Sequence, residues 1–326
     1  MTGRWMWHGG GLRAAQAHFG GDPQAWLDLS TGINSHAWPI PPLDIDWARL
    51  PDEQHLRGLE ATAAAHFGVD PACVCALPGT ELGLRLLGPL LPGPARHVTP
   101  GYRTHAEMWP VGAPVSIDAL ADADGQTLIL ANPGNPDGRV TARAALLEML
   151  DRRGSDGWLL IDEAFADVDP TISLTDCIAA DRRLLIFRSF GKFFGLAGVR
   201  LGFLLGPPSV LDRIRHLLGA WPLPDSTIRI GIAAYADRDW IDAMRGRLHT
   251  EAAMLDARLA ALGYRVTGAC PLFRLLHVDD APALFTRLAR RTILTRPFAD
   301  DPHGLRIGLP ANADALARLE AALRDG

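Results

Sequence analysis

The chain has 326 residues, of which 48% are hydrophobic and 21% charged, a composition that is ordinary for a globular protein and excludes a largely disordered one. Its formal net charge of -5 provides no overall basic surface for nucleic acid or anionic lipid. No apolar run approaches the ~20 residues of a membrane span, and residues 1–11 contain no apolar signal core. We therefore expect a cytoplasmic protein with no nucleic-acid or membrane partner.

The first half of the chain predicts helices and one clear strand. Residues 1–45 show little periodicity. Residues 79–91 predict a helix that begins after Pro78. Residues 127–131 predict a buried strand, and 141–153 predict the helix that follows it.

The second half continues this alternation and then changes character. Further buried strands are predicted at 158–161, 183–187 and 199–205. Alternating strands and helices indicate an α/β fold with a mostly parallel central sheet. Beyond them the chain predicts a small α+β domain, with helices at 240–262, 281–290 and from 312, and strands at 272–278 and 304–309.

This pattern predicts two domains. We expect a large domain at 46–220 and a smaller one formed by an N-terminal arm, 1–45, together with 221–326. The cysteines add no disulfide framework, since only Cys73 and Cys75 are close in sequence. Their Cys-x-Cys spacing is not that of a usual zinc site, so we expect free thiols and no bound metal.

The basic residues contain one conspicuous exception. Of the 32 lysines and arginines, 31 are arginines and one is a lysine, Lys192. An arginine stays protonated and is a poor nucleophile, whereas a lysine can lose its proton and form a Schiff base. The single lysine is therefore a candidate for covalent chemistry.

Polar motifs follow three of the predicted strands. The motif NPGNPDG occupies 132–138, DEAF occupies 162–165, and RSFGK occupies 188–192. Ligands of open α/β sheets bind beyond the carboxyl ends of the strands, so these motifs are expected to form one site.

The run RSFGKFFGLAGVRLGF at 188–203 resembles the cofactor signature of the fold-type I enzymes that use pyridoxal 5′-phosphate (PLP), the aminotransferase-like superfamily. The two other motifs precede it in that family's order and at its usual spacing. The resemblance covers nearly the whole chain and implies the family's fold, PLP as cofactor, and a homodimer.

The resemblance assigns roles around the coenzyme ring. Lys192 would hold PLP covalently and then carry a proton. Asp162 would pair with the pyridinium nitrogen, and Asn135 would bind the phenolic oxygen of the ring. Tyr102 matches the aromatic residue that stacks on the ring.

The resemblance also assigns residues to the two anionic groups. Ser189 and Arg200 match the ligands of the coenzyme phosphate, and Gly79 with Thr80 supplies a helix N-terminus beside it. Arg306 matches the arginine that binds the substrate α-carboxylate.

A narrower resemblance comes from the N-terminal motifs HGG, which begins at His8, and DLSTGIN, which ends at Asn34. They are similar to those of the threonine-phosphate decarboxylases of cobalamin synthesis, and they imply that His8 and Asn34 lie near the substrate. Phe165 replaces a tyrosine found in many aminotransferases, as it does in these decarboxylases. Leu50 stands where many relatives carry a tyrosine that reaches the partner's phosphate.

The sequence leaves alternatives open. An aminotransferase resembling the histidinol-phosphate enzymes would share every cofactor residue. A catalytically silent binding domain on the same fold is opposed by the intact Lys192, Asp162 and Arg200. A nucleotide-binding protein is opposed because Gly191-Lys192 lacks the upstream glycine spacing of a P-loop.

Overall fold

The computed structural model describes residues 9–91 and 93–324. Its helices are α1 (Leu12–Phe19), α2 (Glu53–Phe67), α3 (Thr80–Leu87), α4 (Arg103–Glu107), α5 (Arg143–Asp151), α6 (Phe190–Phe193), α7 (Pro208–Leu218), α8 (Asp225–Ala236), α9 (Arg238–Ala261), α10 (Ala281–Arg290) and α11 (Ala313–Arg324). Its strands are β1 (Leu27–Asp28), β2 (Val74–Leu77), β3 (Ala95–Thr99), β4 (Ala113–Ser116), β5 (Thr127–Ala131), β6 (Leu159–Asp162), β7 (Leu184–Ser189), β8 (Gly202–Leu205), β9 (Arg265–Thr267), β10 (Phe273–His277), β11 (Ile293–Leu294), β12 (Arg296–Pro297) and β13 (Gly304–Gly308). None of the described helices is long and apolar enough to span a bilayer.

The chain forms two compact units. The larger unit comprises the described residues of 37–135 and 140–243, and the smaller unit those of 1–36, 136–139 and 244–326. The larger unit extends beyond the predicted 46–220 at both ends. At its start, Trp38 donates its backbone N–H to Phe194 O at 2.9 Å and its indole N–H to Asp237 at 3.0 Å. At its end, α8 packs against α2.

A seven-stranded sheet forms the centre of the larger unit. Its strand order is β2-β8-β7-β6-β5-β3-β4, and every neighbouring pair is parallel except the two that include β8. Leu128, Ile161 and Ile186 are fully buried, as expected for strands covered by helices on both faces. The expected α/β fold with a mostly parallel central sheet is confirmed.

At one edge of this sheet β5 and β6 end level with each other, and β7 continues two residues further. Ala131 of β5 pairs with Asp162 of β6, and Asp162 pairs with Phe187 of β7. Ser189 at the end of β7 lies opposite Gly202 of β8. The loops after β5, β6 and β7 therefore start from neighbouring positions.

The strand predicted at 199–205 begins later in the structure, at Gly202. Ala197–Val199 forms a single 3-10 turn, and Arg200 follows it with a left-handed φ of 57°. A left-handed residue cannot continue a strand, so pairing starts only two residues beyond it.

The smaller unit contains a four-stranded antiparallel sheet with the order β12-β13-β10-β9. A second sheet joins β1 in parallel to β11. Helix α10 begins after Asp280, whose carboxylate accepts the Ala283 N–H at 2.8 Å and so caps the helix. Sheet and helices together give the α+β character that the sequence predicts.

Candidate active site

The turn between β2 and α3 brings three of the predicted phosphate ligands together. Gly79 has a φ of 83°, in the left-handed region that favours glycine, and Thr80 begins α3. β8 lies between β2 and β7, so that Gly202 faces both Leu77 and Ser189. A Cβ added to Gly202 would lie 2.8 Å from Thr80 N. Ser189 and the first N–H groups of α3 therefore lie close together, where a helix N-terminus attracts an anion.

Arg200 completes this group. Its left-handed φ of 57° is uncommon for a residue with a Cβ, and its Nη1 donates to Ala197 O at 3.3 Å. A Cβ added to Gly79 would lie 2.7 Å from Arg200 Nη2. The guanidinium thus lies against Gly79, where a Cβ would displace it. We call Gly79, Thr80, Ser189 and Arg200 the phosphate cradle.

Asp162 ends β6 and is held in one orientation by two contacts. Its Oδ2 lies 3.0 Å from His105 Nε2, and its Oδ1 accepts the Ala164 N–H at 3.2 Å. Asp162 is 6% exposed and His105 is 1% exposed. The structure therefore presents a buried carboxylate whose position is fixed by an imidazole from α4.

Lys192 lies in α6, the short helix that follows β7. Its Nζ lies 5.7 Å from the centroid of the Phe165 ring, at the end of the DEAF motif. Gly191 packs against Ala197, and a Cβ on Gly191 would lie 2.6 Å from the Ala197 Cα. Close packing at Gly191 thus sets the position from which the lysine projects beside Phe165.

Asn135 is half-buried in the loop that follows β5. The start of this loop is fixed by Asn132, whose Oδ1 accepts the Thr141 N–H at 2.8 Å and whose peptide bond to Pro133 is cis. The Asn132 N–H also donates to Asp162 O at 3.0 Å. The loop that carries Asn135 is therefore anchored directly to the end of β6.

Tyr102 lies immediately before α4. Its hydroxyl donates to Glu81 at 2.8 Å, and its ring meets the His105 ring edge-on at a centroid distance of 5.6 Å. Burial first, and then the hydrogen bond to Glu81, raise the pKa of Tyr102 to about 12, so the phenol keeps its proton at neutral pH. Tyr102 thus lies next to the residue that orients Asp162.

These residues fit the coenzyme that the resemblance implies. The phosphate cradle combines a guanidinium, a hydroxyl and helix N–H groups, the donor set that a phosphate requires. A fixed buried carboxylate suits the nitrogen of a pyridine ring, and an amine suits an aldehyde. The larger unit therefore contains all eight predicted coenzyme residues, and their individual roles remain predictions.

Arg306 belongs to the smaller unit and lies on β13. It is 7% exposed, donates through Nη2 to Ser30 O at 3.1 Å, and places its Cζ 5.0 Å from the centroid of the Phe273 ring. A buried arginine packed on an aromatic face is not the solvated surface residue that its type usually indicates.

A second arginine accompanies it. Arg296 on β12 lies directly opposite Arg306 on β13. Burial first, and then the neighbouring Arg296 charge, lower the pKa of Arg306 to about 9, which leaves it charged at neutral pH. Two cations that repel each other favour an anion beside them.

Asn34 lies in the same unit and is 2% exposed, with its Oδ1 accepting the His36 N–H at 2.9 Å. Ser30, whose carbonyl binds Arg306, also accepts the Gly10 N–H through its Oγ at 2.8 Å. The second glycine of the HGG motif is therefore held near Arg306. His8, the third predicted substrate residue, lies outside the described residues.

Sequence reasoning missed His105 and Arg296. The signal for His105 is its position three residues after Tyr102, which brings the two rings together at the start of α4. Arg296 carries no comparable signal, because only strand pairing places it opposite Arg306. In the described part of the chain, no cluster of three or more His, Cys, Asp or Glu side chains could hold a metal ion.

The chain is similar to known proteins along nearly all of its length. Residues 111–322 match the family model of aminotransferase class I and II. A threonine-phosphate decarboxylase of Sinorhizobium sp. is 39% identical, with 96% of this chain and 98% of the relative covered. A second threonine-phosphate decarboxylase, from Pseudomonas aeruginosa, is 38% identical, with 97% and 96% covered.

The fold is also similar to that of a solved aminotransferase. The crystal structure of histidinol-phosphate aminotransferase from Sinorhizobium meliloti in complex with pyridoxal-5′-phosphate matches with a TM-score of 0.79. The match covers 97% of this chain and 94% of that one at 21% identity. This likeness concerns the fold, whereas the likeness to the decarboxylases extends to the sequence.

Proposed function

We propose that this chain, which belongs to the threonine-phosphate decarboxylases of the class I and II aminotransferase family, removes carbon dioxide from L-threonine O-3-phosphate. The product is (R)-1-amino-2-propanol phosphate, the linker of the cobalamin nucleotide loop. The observation that carries the proposal is 39% identity to a decarboxylase over nearly the full length of both chains. The pair formed by the buried Arg306 and the neighbouring Arg296 supports the substrate class, since this substrate has two anionic groups.

PLP, when bound, draws electrons from the bond that breaks at the substrate α-carbon. Residues of this chain would bind the coenzyme, orient the substrate and transfer protons. Lys192 supplies the only side-chain amine and would hold the coenzyme covalently. The Lys192 Nζ would also be the group that carries a proton to the α-carbon of the substrate.

Asp162 would hold a proton on the nitrogen of the coenzyme ring. Its carboxylate is already oriented by His105 and by the Ala164 N–H, so no reorganisation is needed when charge develops. His105 is therefore a positioning residue for Asp162. The phosphate cradle at Arg200 would anchor the other end of the coenzyme.

The two arginines of the smaller unit would bind the substrate. Arg306 takes the α-carboxylate through two parallel hydrogen bonds, and Arg296 takes the phosphate together with the segment that contains His8 and Asn34. The bond that breaks is the one held perpendicular to the coenzyme ring, so the anchoring of these two groups selects loss of carbon dioxide.

We further propose a cytoplasmic homodimer. Leu50, Leu217 and Trp221 are 66%, 49% and 58% exposed. Pro51, Leu218 and Trp221 line a cleft of about 270 Å³ in the larger unit. Exposed apolar side chains around a cleft are typical of a surface that a second protein covers, and a second copy of the chain fits the family.

The substrate assignment is tested with purified protein and PLP. Turnover of L-threonine phosphate is compared with turnover of L-threonine. Because charge-assisted hydrogen bonds contribute roughly 1.5–3 kcal/mol each, kcat/KM for threonine should be lower by at least about a hundredfold. Arg296→Gln should raise KM for the phosphorylated substrate and leave turnover of threonine unchanged, with Arg290→Gln on the exposed end of α10 as the control. Equal turnover of both substrates by the wild type contradicts the assignment.

A further inference from the structure

Glu81 lies in the first turn of α3, directly after Thr80 of the phosphate cradle, and its carboxylate accepts hydrogen bonds from three side chains. Its Oε2 accepts the hydroxyl of Tyr102 at 2.8 Å and the hydroxyl of Thr104 at 2.8 Å. Its Oε1 accepts the Nε–H of Arg85 at 2.7 Å. Glu81 thus connects the helix that opens at the cradle to the residues around the start of α4.

The Tyr102 ring is restrained at three places. Its edge meets His105 at an interplanar angle of 85°, and part of it packs against the apolar cluster that includes Leu84 and Met108. The hydrogen bond to Glu81 acts on the hydroxyl at the far end of the ring, where a small rotation about the first side-chain torsion gives the largest displacement.

We infer that Glu81 is a positioning residue that holds the Tyr102 ring as a platform for the coenzyme and couples this platform to the phosphate cradle. The inference rests on the proposed function, because it takes Tyr102 as the aromatic that stacks on the coenzyme ring. It adds a role for a carboxylate that would otherwise be expected only to repel the coenzyme phosphate.

The charge states support a strong bond. Burial alone would raise the pKa of Glu81, but the hydrogen bonds from Thr104, Tyr102 and Arg85 outweigh it and lower this pKa. Burial and Glu81 together raise the pKa of Tyr102 to about 12. A protonated phenol therefore donates to an ionised carboxylate at every physiological pH, and such charge-assisted bonds are roughly twice as strong as neutral ones.

The same donors direct the negative charge of Glu81 toward α4. Thr80 and Glu81 are adjacent in the first turn of α3, so a carboxylate turned toward the cradle would oppose an anion there. The bonds from Tyr102 and Thr104 to Oε2 hold the carboxylate toward α4 and away from the cradle. Glu81 can thus hold the Tyr102 ring without weakening phosphate binding at the cradle.

The test is a double-mutant cycle measured on the whole protein. Tyr102→Phe keeps the ring and removes the donor, and Glu81→Gln keeps the shape and removes the charge. The dissociation constant of PLP and the circular dichroism of its bound absorption band are measured for both single variants and for the double variant. If the ring of Tyr102→Phe is no longer held in place and its contact of about 0.5–1.5 kcal/mol is lost, affinity falls by about two- to thirteenfold and the dichroic band changes.

Glu81→Gln should weaken binding in the same direction, because it removes the charge that strengthens the bond from Tyr102. The double variant should be no weaker than Tyr102→Phe, since both changes act on this one bond. Arg85→Gln is the control, because Arg85 binds Glu81 and links α3 to Glu107 of α4 without touching Tyr102. It should leave affinity and dichroism within twofold of wild type.

Three results would overturn the inference. The first is tighter or unchanged PLP binding by Glu81→Gln, and the second is additive effects of the two changes in the double variant. The third is an equal loss of PLP affinity in Arg85→Gln, which would show that Glu81 only links α3 to α4. Failure of the premise that this chain binds PLP on Lys192 gives a different result. In that case the wild type itself forms no adduct with PLP on Lys192, whatever residue 81 is.

Discussion

At the scale of single residues, the single lysine allows a direct test of where PLP binds covalently. Lys192 is the only lysine of the chain, so only it and the N-terminal amine can react with an aldehyde. We expect borohydride reduction of the PLP-loaded protein, followed by peptide mapping, to place one pyridoxyl group on the peptide that contains Lys192. Lys192→Ala should lose this adduct. A group found only at the N-terminus would contradict the assignment.

Asp162→Asn should bind PLP and turn over slowly. A neutral amide cannot hold the ring proton by charge, although His105 can still orient it at the same place. We expect kcat to fall by about 10²–10³-fold with little change in KM. Asp156→Asn, at an exposed position before β6, is the matched control for steady-state kinetics. Near-normal turnover of Asp162→Asn would mean that this carboxylate only caps the loop after β6.

Some of these residues could be predicted from sequence and others could not. Lys192 and Asp162 belong to short motifs whose spacing in the chain already reflects their chemistry. His105 lies 57 residues before Asp162, and their contact arises only because α4 packs beside the end of β6. Arg296 becomes significant only through its pairing with Arg306 across two strands. A sequence motif identifies site residues that lie in one loop, whereas contacts between different loops become visible only when the order of the strands in the sheet is known.

At the scale of elements, a buried ion network joins β6 to β7. Arg188 of β7 donates to Glu163 at 2.9 Å and to Asp167, and all three side chains are almost completely buried. Glu163 follows Asp162, and Arg188 precedes Ser189. The network therefore ties together the two strand ends from which the coenzyme residues project.

Asp167→Asn should lower the free energy of unfolding by about 3 kcal/mol, because it leaves buried charge without its partner. Asp176→Asn is the control, since its pair with Arg143 is exposed and should cost less than about 1 kcal/mol. Both values come from urea unfolding at neutral pH.

The stabilisation that Asp167 provides should depend on pH in a definite direction. Burial alone would raise the pKa of Asp167, but Arg188 and His66 hold it well below its usual range. Its stabilising contribution is therefore complete above about pH 4 and is lost as the pH falls through the folded-state pKa. The difference between wild type and Asp167→Asn should shrink at acid pH. A difference that grows on acidification would contradict this account.

Elements with strong periodicity were predicted well, and weakly patterned ones were not. The buried strands β5, β6 and β7 lie within two residues of their predicted bounds. The helix predicted at 79–91 ends at Leu87 and continues as a 3-10 turn that contains Pro89. α1 lies within residues 1–45, where no element was predicted, because an eight-residue helix offers too few turns to establish a period.

At the scale of the whole molecule, the exposed apolar side chains predict self-association. Light scattering should give about twice the chain mass of 35.2 kDa. Leu50→Glu should shift the protein to monomer by placing a charge on the proposed interface. Val111→Glu, at a residue that is 88% exposed and does not line the cleft, should remain dimeric. A monomeric wild type at micromolar concentration would rule out the homodimer.

The family resemblance and the fold class inferred from sequence are confirmed by the relatives and by the sheet. The reaction type is where the sequence is least decisive, because decarboxylases and aminotransferases of this fold share their coenzyme residues. What separates them is which bond of the substrate the anchoring groups hold perpendicular to the ring. Which bond breaks can be determined directly by identifying the products.

The most direct measurement of the central claim follows both products of one reaction. PLP-loaded protein is given carboxyl-labelled L-threonine phosphate, with and without 2-oxoglutarate, and labelled carbon dioxide and glutamate are quantified together. We expect one equivalent of carbon dioxide per aminopropanol phosphate in both reactions and no glutamate. Glutamate formed in step with substrate loss, with no carbon dioxide, would contradict the account and identify an aminotransferase.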